Sequence, residues 1–224
     1  MTIVLFDIDG TLIRTGGAGS LAMNRAFEDV FGIAGAFDGI VMAGRTDRSI
    51  LDEGALRAGV DWGANLGLFR DRYLARLSEA LLRPGPRHGV LPGVRAILEA
   101  IAIRADVFPA LLTGNGHEGA RIKLQYFDLW SYFRCGAFGD EHLDRRDLFD
   151  VAIARVLECG VPPVKPADVI VVGDTVMDVA CAKAAGARSV AVATGPSDVG
   201  TLRDAGADVT VANLSDTEAF MRLL

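Results

Sequence analysis

Short apolar runs alternate with helical segments along this chain, and polar residues follow most of the runs directly. Apolar runs of four to six residues that are rich in β-branched side chains and bounded by turn residues predict buried strands. Because strands that alternate with helices form parallel sheets covered on both faces, the pattern predicts a doubly wound, Rossmann-like α/β core. The predicted strands lie at residues 3–6, 107–112, 134–138, 169–172 and 189–193.

A block without any clear strand pattern interrupts this alternation after the first strand. Apolar residues recur at helical spacing in three stretches of the block, which predicts an all-helical insert. A glycine-rich stretch at 16–19 and a Pro/Gly-rich stretch at 84–89 flank the block and are predicted connectors. We therefore predict an α/β core made of residues 1–16 and 90–224, with a helical cap domain at 17–89.

Polar side chains suited to chemistry lie after four of the predicted strands. Asp7 and Asp9 follow the first strand, and Thr113 follows the second. Arg145 comes after the third strand and Asp174 after the fourth. Each cluster alone is explained by turn or helix-cap residues. The full order of clusters is far less expected by chance, and ligands of open parallel sheets bind at this edge, so one shared site is predicted.

Three motifs carry a resemblance to a known family. The sequences DIDGTL at 7–12, LTGN at 112–115 and GDTVMD at 173–178 resemble motifs I, II and IV of the haloacid dehalogenase (HAD) superfamily. The resemblance covers essentially the whole chain and is strongest to superfamily phosphatases with a helical cap after motif I. Phosphoglycolate phosphatase is the activity that it suggests first. The resemblance implies a phosphatase that hydrolyses a small phosphate monoester with Mg²⁺ as its cofactor.

The resemblance also implies a role for each motif residue. Asp7 would be the nucleophile that forms an aspartyl-phosphate. Asp9 would protonate the leaving oxygen and later activate water, and its backbone carbonyl would bind the metal. Asp7 and Asp174 would supply carboxylates to Mg²⁺, and Asp178 would be a further ligand or a partner beside the ligands. The Thr113 hydroxyl would donate to a phosphoryl oxygen.

Further groups are expected to bind the phosphoryl oxygens. The backbone amides of Gly114 and Asn115 would help, because a helix is predicted to begin there. The superfamily also supplies a Lys or Arg to the phosphate. Lys165 precedes the fourth strand and so lies at the wrong end of the sheet, which makes Arg145 the predicted phosphate-neutralising cation. Its neighbour Arg146 is predicted to face elsewhere, and an exposed turn is the alternative for the pair.

The segment from Arg45 to Asp47, between two predicted cap helices, is the candidate for substrate contacts from the cap. Thr46 or Asp47 can cap the second helix, which is the simpler interpretation of both. In the functional interpretation, one of these side chains reaches the mouth of the site, where an arginine suits a carboxylate or a second phosphate. Arg45 and Thr46 are therefore predicted substrate-binding residues, together with Gly114 and Asn115.

Charge and cysteine content restrict the partners. The net charge of −6 argues against general nucleic-acid binding but allows a small phosphorylated metabolite, because a bound cation reverses the local field. The three cysteines are widely spaced and lack a CxxC pattern, so neither disulfides nor a zinc site is predicted. No uncharged stretch could cross a membrane and no signal peptide is apparent, which predicts a cytoplasmic protein without a membrane partner. A monomer and a homodimer both stay open.

Three other functions fit parts of the pattern. A 2-haloacid dehalogenase of the same superfamily needs no metal and typically lacks the second acid of motif I, so Asp9, Asp174 and Asp178 argue against it. A β-phosphoglucomutase-like phosphomutase fits every motif and would need a cap that shields the aspartyl-phosphate from water. A non-catalytic phosphate-binding signalling module, such as a response-regulator receiver, shares the parallel fold but not the helical insert.

Overall fold

The computed structural model describes residues 1–83, 85–140 and 142–224. Pro84, within the predicted connector at 84–89, lies outside the described residues. The described strands are β1 (Thr2–Phe6), β2 (Ile13–Thr15), β3 (His88–Val90), β4 (Val107–Leu112), β5 (Gly136–Ala137), β6 (Val169–Gly173), β7 (Arg188–Val192) and β8 (Val209–Val211). Six of them form one sheet in the order β5-β4-β1-β6-β7-β8, and every neighbouring pair is parallel.

Helices cover both faces of this sheet, and three further helices lie outside it. In chain order, the helices of the described residues are α1 (Ala18–Phe31), α2 (Asp47–Ala58), α3 (Leu66–Leu81), α4 (Val94–Ala102), α5 (His117–Tyr126), α6 (Leu148–Glu158), α7 (Val176–Ala185), α8 (Val199–Asp204) and α9 (Thr217–Met221). Side chains alternate between the faces of a strand, so Val4 and Phe6 of β1 pack with α4, α5 and α9. Ile3 and Leu5 pack on the other face with α6 and α7. The predicted doubly wound α/β fold is confirmed.

Helices α1, α2 and α3 form a separate helical layer with its own apolar core. Phe27 of α1 lies at its centre, with ring centroids 5.3 Å from Phe37 and 6.3 Å from Phe69. No buried residue described for these three helices belongs to the apolar clusters on the two faces of the sheet, which agrees with the predicted helical cap. The predicted domain limits at 16/17 and 89/90 stay a prediction.

A short antiparallel ladder joins the two connections between cap and core. Strands β2 and β3 pair with Arg14 opposite Gly89 and Thr15 opposite His88. The sequence predicted no strand at 13–15 and a connector at 84–89, which overlaps β3, because three residues are too few to produce a recognisable strand pattern. The predicted strand at 134–138 is likewise reduced to the two residues of β5.

Within the described residues, no helix has both the length and the apolar character that crossing a bilayer requires.

Candidate active site

The carboxyl ends of β1, β4 and β6 open into a cavity of about 680 Å³ between the sheet edge and the cap. Parallel strands end at the same edge, which is why motifs that are far apart in sequence meet there. Seven of the predicted site residues line this cavity: Asp7, Asp9, Arg45, Gly114, Asn115, Arg145 and Asp174. Three others do not line it: Thr46, Thr113 and Asp178.

Asp7 lies directly after the central strand β1, where its backbone amide donates to the Val172 carbonyl (2.9 Å). Its side chain is buried, and one carboxylate oxygen lies 3.1 Å from the Arg145 guanidinium. Burial raises the pKa of Asp7 to about 6, while the charge of Arg145 opposes the rise. Above that pH, the structure offers an ionised carboxylate at the cavity wall, held beside a cation.

Asp174 follows β6 and is more strongly perturbed than Asp7. Burial, together with the charges of Asp7 and Asp178, raises its pKa to about 9. The Thr11 hydroxyl donates to its Oδ1 atom (3.1 Å). Gly195 packs against the same carboxylate so closely that a Cβ there would lie 1.5 Å from Oδ2. A glycine is therefore required at 195 for this carboxylate to keep its position.

Buried carboxylates at this edge form a group that could hold a cation. Asp7, Asp174 and Asp178 each offer an oxygen, and these oxygens lie within 4.8 Å of one another. Such a concentration of buried negative charge is unfavourable without a positive partner. The donors are all carboxylate oxygens, which suits a hard divalent cation such as Mg²⁺ better than a metal that prefers nitrogen or sulfur. The donor set thus fits the metal that the sequence predicts.

Asp178 belongs to this group, but its oxygens already have protein partners. Oδ2 accepts from the backbone amide (3.0 Å) and the hydroxyl (2.6 Å) of Thr175, at the start of α7. Oδ1 accepts from Arg145 (2.5 Å). Asp178 was predicted to be either a metal ligand or a residue beside the ligands, and these contacts agree with the second alternative. In that position, Asp178 orients Arg145 and the start of α7.

Arg145 reaches the acid cluster from the short turn before α6. It is only 3% exposed, and its Nη2 donates to the Leu112 carbonyl (3.1 Å) as well as to Asp178. Its Nε is buried without a hydrogen-bond partner among the described residues. Arg146 instead lies exposed on Asp144, and Lys165 lies in the turn before β6, as the sequence predicted for both.

A lysine that sequence reasoning missed joins the site from α5. Lys123 is only 4% exposed, and its Nζ donates to Asp9 Oδ2 (2.6 Å) and to Asn115 Oδ1 (2.5 Å). The Asn115 amide donates to Asp9 Oδ2 (2.9 Å) and to the Thr113 hydroxyl oxygen (2.9 Å). Thr113 is therefore buried behind Asn115 rather than at the cavity surface. The available signal for Lys123 was its place between Ala120 and Leu124, on the apolar face of its helix.

The cap residues divide between structural and cavity positions. Thr46 is fully buried; its hydroxyl accepts from the Ser49 amide (3.2 Å) and donates to the Leu143 carbonyl (3.0 Å). This is the helix-cap interpretation, and it leaves Thr46 out of the cavity. Arg45 does line the cavity, but its guanidinium is held by Glu53 and by the Ser49 carbonyl (2.9 Å).

Asp47 docks the start of α2 onto the motif II loop. Its amide donates to the Gly114 carbonyl (2.7 Å), and its carboxylate accepts from the Gly116 amide (2.9 Å). The Arg48 amide donates to the Gly139 carbonyl (3.1 Å). A Cβ at Gly114 would lie 1.9 Å from the Arg45 carbonyl oxygen, so only glycine permits this close approach of the two main chains. The cap is thereby in contact with the core at the cavity rim.

The raised pKa of Asp174 predicts how pH and metal change stability. The folded state binds the Asp174 proton more tightly than the unfolded chain, whose pKa is about 4, so this residue's contribution is complete below pH 4 and is lost towards pH 9. In EDTA we expect Asp174→Asn to raise Tm at pH 8 by several degrees, at about 2–4 °C per kcal/mol. Thermal denaturation at pH 5.5 and 8 measures this.

Mg²⁺ should raise the Tm of the wild-type protein more at pH 8 than at pH 5.5, because metal binding requires deprotonated ligands. It should raise the Tm of Asp174→Asn little at either pH. An Asp174→Asn variant that is less stable than the wild-type protein in EDTA at pH 8 would contradict the assigned charge repulsion.

Comparison with known proteins agrees with this arrangement. The family model described as haloacid dehalogenase-like hydrolase matches residues 4–192. A phosphoglycolate phosphatase from Chromobacterium violaceum is 30% identical over 230 residues, covering 98% of this chain and 96% of that protein. Two solved structures share the fold. One is a predicted phosphoglycolate phosphatase from Haemophilus somnus 129pt (17% identity, 99% and 98% coverage, TM-score 0.71). The other is a hydrolase from Pseudomonas syringae (22%, 99% and 98%, TM-score 0.69).

The family model covers most of the chain, and the curated relative aligns with nearly its whole length. The resemblance drawn from the three sequence motifs is confirmed. The chain belongs to the haloacid dehalogenase-like hydrolases and is a phosphatase of that family.

Proposed function

We propose that this protein hydrolyses a small phosphate monoester with Mg²⁺, through an aspartyl-phosphate formed on Asp7. The observation that supports this most is the pairing at the sheet edge. A buried Asp7 carboxylate faces the cavity 3.1 Å from Arg145, beside the acid cluster of Asp174 and Asp178. Phosphoryl transfer depends on a positioned nucleophile and on neutralised charge at the phosphoryl oxygens, and this pair supplies a carboxylate for the first and a cation for the second.

In the first step, an Asp7 carboxylate oxygen attacks phosphorus while the bond from phosphorus to the ester oxygen breaks. The Asp9 carboxyl gives a proton to the departing oxygen, which leaves as an alcohol. Arg145, which lines the cavity beside Asp7, supplies positive charge near the phosphoryl oxygens as their negative charge grows. The products are the alcohol and the phosphorylated carboxylate of Asp7.

In the second step, water attacks the phosphorus of the aspartyl-phosphate. The Asp9 carboxylate, left ionised by the first step, takes a proton from this water as the new P–O bond forms. The bond between Asp7 and phosphorus breaks, which returns the Asp7 carboxylate and releases inorganic phosphate. Asp9 ends protonated, ready for the next substrate.

Mg²⁺ is proposed as the cofactor because its ligands would be available. Asp7 and Asp174 would hold it with their carboxylates, and the backbone carbonyl of Asp9 would add a further oxygen. When bound, the ion would offset negative charge on the phosphoryl oxygens and on the acid cluster.

The proposed substrate is a small phosphorylated metabolite. The curated relative is a phosphoglycolate phosphatase, and the cavity of about 680 Å³ also leaves room for a sugar phosphate or a nucleoside monophosphate. A cytoplasmic location, the lack of nucleic-acid and membrane partners, and a monomeric or homodimeric state are proposed with it.

A phosphatase assay tests the proposal. Purified protein is expected to release phosphate from p-nitrophenyl phosphate with Mg²⁺, and EDTA should reduce the rate at least about 100-fold. A panel including phosphoglycolate, sugar phosphates and nucleoside monophosphates then ranks substrates by kcat/KM. Activity that persists in EDTA at the full rate would contradict the cofactor. Activity that requires an added sugar bisphosphate would indicate a mutase instead.

A further inference from the structure

Lys123 is an unusual residue for the apolar face of a helix. It lies among the buried residues of α5, and lysine is rarely buried unless its charge is paired. Its ammonium makes two short contacts, to Asp9 Oδ2 (2.6 Å) and Asn115 Oδ1 (2.5 Å). Both partners line the proposed active-site cavity.

Cap and core enclose this ammonium together. Gly19 of α1 lies directly over it, and a Cβ there would be 3.3 Å from Nζ. The charge of Lys123 also acts on the cap residue Asp47, where it opposes the rise in pKa that burial causes. Lys123 is therefore fixed between the two layers rather than free to move with solvent.

Both contacts to the Asp9 carboxylate fall on the same oxygen. Oδ2 accepts from Lys123 Nζ and from the Asn115 amide (2.9 Å). Oδ1 accepts no hydrogen bond from any described residue. Two donors on one oxygen hold the carboxyl group in one orientation and leave Oδ1 without a donor from the described residues.

We propose that Lys123 is a positioning residue for Asp9. With Asn115, it fixes the carboxyl group through Oδ2, so that Oδ1 carries the proton for the leaving oxygen and later takes one from water. The inference rests on the proposed function, because it assigns how Asp9 performs its two proton transfers. Lys123 itself contacts neither the phosphorus nor the attacking oxygen in this assignment.

The test uses two substrates that differ in their need for a proton. Phenoxide is a poor leaving group without protonation, whereas p-nitrophenoxide leaves easily as an anion. In single-turnover reactions with excess enzyme and Mg²⁺, we expect Lys123→Met to slow phenol release from phenyl phosphate about 100-fold. Release from p-nitrophenyl phosphate should slow less than about 5-fold. Equal losses with both substrates would overturn the proposal.

A double-variant cycle separates positioning from other roles. In an Asp9→Asn background the group to be positioned is absent, so adding Lys123→Met should change the phenol-release rate less than about 2-fold. A further large loss would show that Lys123 acts independently of Asp9. Lys123→Arg keeps the charge and should recover part of the phenyl phosphate rate. Lys183→Met, at an exposed lysine of α7, is the control and should behave as the wild-type protein.

Gly19→Ala covers the case in which Lys123→Met does not fold. Its methyl group would press on Nζ from the cap without removing the charge. It should produce the same selective loss on phenyl phosphate, at about 10-fold; wild-type rates on both substrates would overturn the proposal. Asp7→Asn distinguishes the two levels of inference. If Asp7→Asn stays active, the proposed function fails. If Asp7→Asn is inactive but Lys123→Met slows both substrates equally, only the proposed role of Lys123 fails.

Discussion

Asp7→Asn is expected to lower kcat at least about 10⁴-fold, the largest effect of any substitution in this protein. Asparagine preserves the shape of the side chain but lacks the carboxylate that would attack phosphorus. The fold should survive, because removing a buried negative charge beside Asp174 and Asp178 relieves repulsion. Steady-state hydrolysis of p-nitrophenyl phosphate with Mg²⁺ measures the loss, and circular dichroism with thermal denaturation reports the fold.

The covalent intermediate provides an independent measurement for the same variant. After acid quench during turnover, intact-protein mass spectrometry should find a phosphorylated population of the wild-type protein and none of Asp7→Asn. Asp204→Asn, at an exposed residue of α8, is the matched control and should keep wild-type kcat. An Asp7→Asn protein with more than about a tenth of wild-type kcat would refute Asp7 as nucleophile.

Arg145→Met is expected to reduce both activity and stability. It removes the cation beside Asp7 and the partner of Asp178, so buried carboxylates are left without compensation. Losing one partner of such a buried pair should lower the free energy of unfolding by about 3–5 kcal/mol. The loss of charge stabilisation on the phosphoryl group should lower kcat/KM about 10³-fold. Urea denaturation and p-nitrophenyl phosphate kinetics measure the two effects.

Two further substitutions isolate the cause. Arg145→Lys keeps the charge and should recover more stability than activity, because an ammonium cannot reproduce the planar donor geometry of Arg145. Arg146→Met removes the neighbouring exposed cation and should change neither quantity by more than about 2-fold or 0.5 kcal/mol. Wild-type kcat/KM in a folded Arg145→Met protein would rule out its role at the phosphate.

The sequence predicted the central strands of the sheet well because each of them carries its own local signal. β1 is apolar from Ile3 to Phe6 and is followed by Asp7, and β6 is apolar from Val169 to Val172 and ends at Gly173, so the predicted limits of both strands lie within one residue of the structure. The ladder of β2 and β3 had no such signal. Its two strands pair across the inserted cap, between residues more than 70 positions apart in sequence. A strand of three residues is also too short to show the alternation of apolar and polar side chains that marks a strand.

Site residues at strand ends were predictable for the same reason, whereas Lys123 was not. Asp7, Asp9 and Asp174 sit at positions that the sheet topology alone brings to one edge. Lys123 reaches the site from inside a helix, and its contact with Asp9 depends on the packing of α5 under Gly19. The role of Thr46 could not be assigned from the sequence, because a hydroxyl that caps a helix and a hydroxyl that binds substrate look alike in sequence.

Two of the hydrogen bonds that dock α2 onto the core join main-chain atoms only. The amides of Asp47 and Arg48 bind the carbonyls of Gly114 and Gly139, so these bonds form whatever side chains occupy positions 47 and 48. Exchanges of side chains at these two positions therefore leave two of the bonds between cap and core in place. Substitutions on the cap side of the cavity can thus change the substrate contacts while the strand ends keep the acid cluster in position.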